Sequence, residues 1–278
     1  MKFALCFLAI VSWAAAMPAE VSFDALEGLE LVPNNIYKEP INPAKPEDLP
    51  ASRVIGGVEV APNSIPYQVA IVINGLSFCG GSLISTNRVL TAAHCTVRAV
   101  FVNVRLGAHA FNSNEATQVR ITSTSIANHP NYGQGSFAGN DVAVISLPSA
   151  VTLNVNIQVI PLAAENAGTF AGKKARLTGW GRTSDASNAV SPVLRSVSLE
   201  IKTNADCTRF YDSDVVDGSI CTSGTGIVGA CNGDSGGPLV VDGVQVGVVS
   251  FGSTQCQAGN PTVYARVTYF LSWIREQL

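Results

Sequence analysis

Charge is scarce in this chain of 278 residues: only 13% of them are Asp, Glu, Lys or Arg. From Val54 to Leu278, 13 Lys plus Arg balance 13 Asp plus Glu, and no basic run occurs. A neutral main region without a basic stripe excludes electrostatic recognition of nucleic acid or of an anionic membrane as its business. The N-terminal apolar run, Phe3 to Val11, is too short to cross a bilayer, so no membrane anchor is expected from it. Histidine occurs three times and the C-x-x-C spacing never, which leaves no zinc ligand set. Neither a metal nor a cofactor is expected. Helical periodicity is missing until the last turns, which argues against a helical bundle.

What is present begins with apolar material, 47% of residues, enough for one large core or two smaller ones. Met1 to Ala16 combines Lys2, the short apolar run and an exit of small residues at Ala14, Ala15 and Ala16, the layout of a secretory signal. The chain is therefore expected to be secreted and extracellular. Residues 17–53 form an acidic leader in which Pro33, Pro40, Pro43, Pro46 and Pro50 exclude a helix or an interior strand. It reads as an extended propeptide, not a domain. With no cysteine between Met17 and Arg53, it should leave once cut from the rest.

From Val54 the chain reads as short strands rich in β-branched residues, at Gln68–Ile73, Phe101–Leu106, Val142–Leu147 and Val240–Phe251. Val267, Phe270, Leu271, Ile274 and Leu278 then recur at helical spacing and predict an amphipathic terminal helix over 267–278. The fold class is all-β, barrel or sandwich. Of seven cysteines Cys6 falls in the signal; Cys79, Cys95, Cys207, Cys221, Cys231 and Cys256 remain, an even number suited to three disulfides in an exported chain. Their spacing does not choose among the possible pairings.

The chemistry centres on Cys231-Asn232-Gly233-Asp234-Ser235-Gly236-Gly237-Pro238-Leu239. Glycines around a serine let the backbone turn sharply and present both hydroxyl and N–H groups. Serine needs a base, and the base needs a group that fixes its tautomer. Val89-Leu90-Thr91-Ala92-Ala93-His94-Cys95 and Asn140-Asp141-Val142-Ala143-Val144-Ile145 can supply them. His109 and His129 have no comparable surroundings; His129 precedes Pro130 and Asn131, a turn signal that favours a surface or structural role.

With the order His, Asp, Ser, these three segments resemble the chymotrypsin family of serine peptidases, in particular arthropod digestive zymogens of the brachyurin type. The resemblance spans Val54 to Leu278 and implies two six-stranded antiparallel barrels, about 54–160 and 161–266, joined near 158–172 and followed by the terminal helix. It assigns His94, Asp141 and Ser235 as catalytic residues, the N–H groups of Gly233 and Ser235 as the oxyanion hole, and the disulfides Cys79–Cys95, Cys207–Cys221 and Cys231–Cys256. Ser52-Arg53-Val54-Ile55-Gly56-Gly57 resembles the activation junction, where a trypsin-like protease would cut after Arg53 and free the Val54 amine to pair with Asp234. Gly229 resembles the base of the specificity pocket, with Ser250, Phe251, Gly252 and Thr262 on its walls. An uncharged, open pocket implies Phe, Tyr, Leu or Met before the scissile bond; elastase-like or collagenase-like preference and a non-catalytic secreted homologue are the alternatives. Ala108 stands where calcium-binding relatives carry an acid, so no calcium requirement is expected. Protein substrates and protein inhibitors are the implied partners of a monomer, and the cysteine-free leader leaves no material for a clip module.

Overall fold

The computed structural model describes residues 31–44 and 57–278. The expected signal at 1–16 and the junction at Arg53 and Val54 lie outside the described residues, as does most of the leader. Among the described residues three two-residue strands come first: β1 (Val32–Pro33) and β2 (Ile36–Tyr37) in the leader, and β3 (Val58–Glu59). The first barrel follows as β4 (Gln68–Ile73), β5 (Ser77–Ser85), β6 (Arg88–Thr91), β7 (Val102–Leu106), β8 (Val119–Ser123), β9 (Ser125–Asn128) and β10 (Ala143–Ser146). Hydrogen bonding runs β8-β7-β4-β5-β6-β10-β9. Since only Thr124 separates β8 from β9, residues 119–128 are one bent strand whose halves pair with opposite ends of that order. Six strands thus close on themselves and leave no long free edge.

The second barrel consists of β11 (Lys174–Gly179), β12 (Arg195–Lys202), β13 (Ser219–Thr222), β14 (Pro238–Val241), β15 (Val244–Gly252) and β16 (Thr262–Arg266). Their order is β11-β14-β15-β16-β13-β12, and an additional β11–β12 pairing closes it. The region expected as one strand, 240–251, is the hairpin β14–β15. Its turn is Asp242-Gly243, both at positive φ (49° and 81°), the backbone that a tight hairpin demands and that Gly adopts without strain. β3 pairs with β12, so the start of the main region joins the second barrel and not the first.

Side chains alternate across the strands as the two-residue period requires. Along β4, Val69, Ile71 and Ile73 fill the first barrel, whereas Ala70 and Val72 face a second cluster with Phe78, Phe111 and Trp180. Trp180 is fully buried and donates its indole N–H to the carbonyl of His109 at 2.8 Å, which ties the second barrel to a loop of the first. Three α-helices complete the described residues: α1 (Ala93–Thr96), α2 (Asn204–Tyr211) and α3 (Val267–Glu276). α3 matches the expected terminal helix and buries Val267, Phe270 and Ile274 against the first barrel's core. The disulfides are Cys79–Cys95, Cys207–Cys221 and Cys231–Cys256.

Candidate active site

The turn carrying Ser235 follows from its glycines. Gly233 has φ +101° and Gly236 φ +77°, both in the region that L side chains avoid. A Cβ on Gly236 would lie 2.2 Å from Thr91 Oγ1 and 2.6 Å from the carbonyl oxygen of Gly80. Only glycine lets this loop of the second barrel press against the strand leading into His94. The contact is sealed by the N–H of Gly80, which donates to the carbonyl of Ser235 at 2.7 Å.

His94 lies in α1 directly after β6 and is anchored by the Cys79–Cys95 disulfide beside it. Asp141 precedes β10, after Asn140 in the left-handed region (φ 58°), which an asparagine tolerates better than most residues. β10 pairs with β6, and this register brings the two side chains together. The His94 backbone N–H donates to Asp141 Oδ1 at 2.8 Å, and His94 Nδ1 stands 2.8 Å from Asp141 Oδ2. Both side chains are 1% exposed. Against an ionised, acceptor-only carboxylate the proton belongs on Nδ1, so the lone pair of a neutral ring lies on Nε2.

Ser250 supplies a further donor, its hydroxyl reaching Asp141 Oδ2 at 2.6 Å. The sequence reading placed Ser250 only on the pocket wall, and nothing in the local pattern signals this second contact. Burial pushes the Asp141 carboxyl up. The charge of His94 and the hydrogen bonds from His94 and Ser250 outweigh it and hold the group below the usual carboxylate range.

Ser235 and His94 form no hydrogen bond with each other. The Ser235 hydroxyl donates instead to Asn35 Oδ1 at 3.1 Å, and the Gly233 N–H donates to the same oxygen at 3.1 Å. Neighbouring Asn34 donates through Nδ2 to the backbone carbonyls of His94 (3.3 Å) and Cys95 (3.1 Å). Two consecutive leader side chains therefore reach both halves of the site.

Asp234 is turned away from the cleft. Its carboxylate accepts from the N–H groups of Gly181 and Cys231, each at 2.9 Å. Burial pushes it up to about 6, with only those two amides opposing. Among the described residues no cation pairs with it. One cavity is lined by both Gly57 and Asp234, together with Gly179, Gly181, Ser196, Arg182 and Arg195. Cβ atoms at Gly179 or Gly181 would fall within 2.2 Å of the Asp234 carboxylate, so these glycines keep the cavity open.

The cleft beside Ser235 is lined by Ala230, Cys231, Asn232, Val249, Ser250, Phe251, Gly252, Ser253, Cys256 and Thr262, with Asn35, Ile36 and Tyr37 of the leader over it. None of these is charged. Gly229 borders the neighbouring cavity of Asp234, yet its α-carbon faces the same wall: a Cβ there would stand 3.1 Å from Thr262 Oγ1, and one on Gly252 would stand 4.0 Å from it.

The other two histidines are committed elsewhere. His109 Nε2 lies 3.0 Å from Glu59 Oε1. Its backbone N–H donates to Glu115 Oε2 at 2.8 Å, a carboxylate that also accepts from Ala110 and Gln118 and so ties residues 109–118 together. His129 packs edge-on against Phe270 and at a tilt against Trp273 and accepts from the Asn131 N–H, a packing role.

The trypsin family model matches residues 54–274. Brachyurin of Leptuca pugilator is 50% identical over 226 residues, covering 81% of this chain and 98% of that protein. Chymotrypsin of Phaedon cochleariae is 38% identical over 283 residues, covering 99% of this chain and 97% of that protein. Trypsin of Xenopus laevis is 36% identical over 227 residues, covering 81% and 91%.

Proposed function

Because this chain belongs to the trypsin family of serine endopeptidases, we propose that it is a secreted zymogen whose processed form cuts proteins after large apolar or aromatic residues. The observation that carries the reading is the buried His94–Asp141 pair, held by three hydrogen bonds, one of them from Ser250 on the wall of the cleft that contains Ser235. Ser235 Oγ attacks the carbonyl carbon of the scissile bond, and its proton passes to His94 Nε2. The C–N bond then breaks as His94 returns that proton to the leaving amine, and the acyl group stays on Ser235. Water, deprotonated by the same Nε2, releases the acid and restores the serine. Asp141 fixes the tautomer and balances the imidazolium charge. The N–H groups of Gly233 and Ser235 hold the oxyanion, and each such donor contributes roughly 3 kcal/mol.

The substrate backbone adds to the end of β15. The residue before the scissile bond occupies the pocket beside Gly252, whereas the bond itself lies at the Ser250 end, next to Asp141. The substrate therefore runs against the direction of β15, as an antiparallel added strand.

Activation uses the cavity that Gly57 and Asp234 both line. The three residues from Val54 to Gly56, extended, span about 10 Å, enough to carry a freed Val54 amine into it. An ammonium there removes the penalty of a buried lone carboxylate and fixes the turn that presents Gly233 and Ser235.

A panel of chromogenic peptides on protein cut after Arg53 tests the specificity. Phe, Tyr, Leu and Met substrates are expected to dominate, and a lead for Arg substrates would overturn the pocket argument. Burying a cation against this uncharged wall costs several kcal/mol. Accordingly Gly229→Asp, with Thr262 Oγ1 in reach of the new carboxylate, is expected to raise kcat/KM for Arg relative to Phe substrates by about 100-fold or more.

A further inference from the structure

The leader residues that cover the cleft bind it by contacts that a cut after Arg53 does not touch. Leu31 is buried in the cluster of Trp180, Phe78 and Phe111. β1 pairs with β5 at Ser77 and Phe78, and β2 pairs with β15 at Phe251 and Gly252. Both pairings are parallel, and at β15 this is the reverse of the sense derived above for a substrate. Beyond the cleft, Lys38 bonds Asp214 at 2.8 Å and lies over the Phe137 ring, and the Ala44 N–H donates to Asn260 Oδ1 at 2.9 Å.

The group placed against Ser235 is the side-chain carboxamide of Asn35. Its oxygen accepts from the Gly233 N–H, one of the two donors assigned to the oxyanion, and from the hydroxyl of Ser235 itself. That carbonyl belongs to no backbone bond, so the nucleophile faces an amide whose cleavage would not divide the chain. Resting on the peptidase reading of this site, we infer that residues 31–44 form a reversible inhibitor that docks in reverse, with Asn35 holding the Gly233 donor and the Ser235 hydroxyl, and that it goes on inhibiting the processed enzyme after the cut.

This alters the expectation that the leader departs once severed. With no cysteine to tether it, it leaves by dissociation, and the activity of a freshly cut sample depends on dilution. Partial exposure of Lys38 and exposure of Glu39, Ile41, Asn42 and Pro43 suit a ligand that can be released.

The test uses full-length protein cut with immobilised trypsin, freed of its leader by gel filtration and confirmed by N-terminal sequencing. A fluorescently labelled peptide of residues 31–44 is then titrated against it. Anisotropy reads binding, and hydrolysis of a Phe chromogenic substrate reads inhibition. The expected result is saturable binding with competitive inhibition, weakened about 10-fold or more in the Asn35→Ala peptide, which has lost two hydrogen bonds. Cut full-length Asn35→Ala protein, left unseparated, should also reach full activity without the lag on dilution that the unsubstituted protein shows.

Three results overturn the inference: no binding, equal potency of the Asn35→Ala peptide, or cleavage of the peptide within residues 34–37. If the leader-free protein binds the peptide in the Asn35-dependent manner but hydrolyses nothing, the peptidase reading fails while the docking stands.

Discussion

In processed protein, His94→Ala is expected to lower kcat/KM by about 10⁴- to 10⁶-fold, with KM for a Phe substrate nearly unchanged. The loss falls on kcat because the imidazole acts on the proton in flight and contributes little to ground-state binding. Ser235→Ala should cost about as much, and the double variant scarcely more, since without its base the hydroxyl is no better than water. Additive losses would mean that the two side chains do not work as a unit.

Asp141→Asn should fall short by about 10⁴-fold for a different reason. The Asn amide cannot accept from the His94 N–H, from Nδ1 and from Ser250 together, as the carboxylate does. The ring then loses both its tautomer and its anchor. Stopped-flow and steady-state assays on the four variants check the series.

The second large effect concerns Asp234. In the uncut chain its carboxyl is raised from 3.8 to about 6 by burial. An acid whose folded-state value is raised contributes stability that is fully present below its unfolded value, near pH 4, and is lost as pH climbs through about 6. The size is about 3 kcal/mol. Uncut Arg53→Gln protein should therefore lose stability between pH 4 and pH 7 relative to Arg53→Gln/Asp234→Asn, in which nothing titrates at that position. Calorimetry of the pair checks it, and parallel pH curves would show that the carboxyl is not destabilised.

Processing is expected to reverse the sign. With the Val54 ammonium beside it, the carboxylate is favoured and the amine is raised above roughly 8. The active form then holds below that value and fades as alkaline pH removes the proton. Cut Asp234→Asn protein should consequently be about 10²- to 10³-fold less active than the cut parent, the scale of one lost oxyanion donor or more. Activity of uncut Arg53→Gln protein equal to that of the cleaved enzyme would contradict the mechanism.

Much of this architecture is legible in the sequence where chemistry and backbone geometry coincide. The glycines around Ser235 announce a sharp turn because no other residue fits against Thr91 and Gly80. The terminal helix shows because one face is apolar at helical spacing. α2 escapes for the opposite reason: it buries only Cys207 and Tyr211, too few for periodicity. Its one sequence signal is the capping box of Thr203 and Asp206, formed by reciprocal bonds between side chains and backbone.

The leader is the larger miss. Its prolines correctly exclude an interior strand, yet they permit two-residue strands laid along existing edges. Such pairing depends on partners more than forty residues away for β1 and more than two hundred for β2, so no local pattern foretells it. Asn35 likewise carries no motif; only the convergence of its oxygen with Gly233 and Ser235 gives it meaning. The role of Ser250 as a second donor to Asp141 is of the same kind, a contact made across barrels.

Labelling of leader-free processed protein with a fluorophosphonate probe, mapped by mass spectrometry, tests the convergence of the three side chains most directly. A single adduct on Ser235, formed fast in the parent and about 10³-fold or more slower in His94→Ala, is the expected result. An unlabelled Ser235, or labelling indifferent to His94, would show that hydroxyl and imidazole do not act on each other in this cleft.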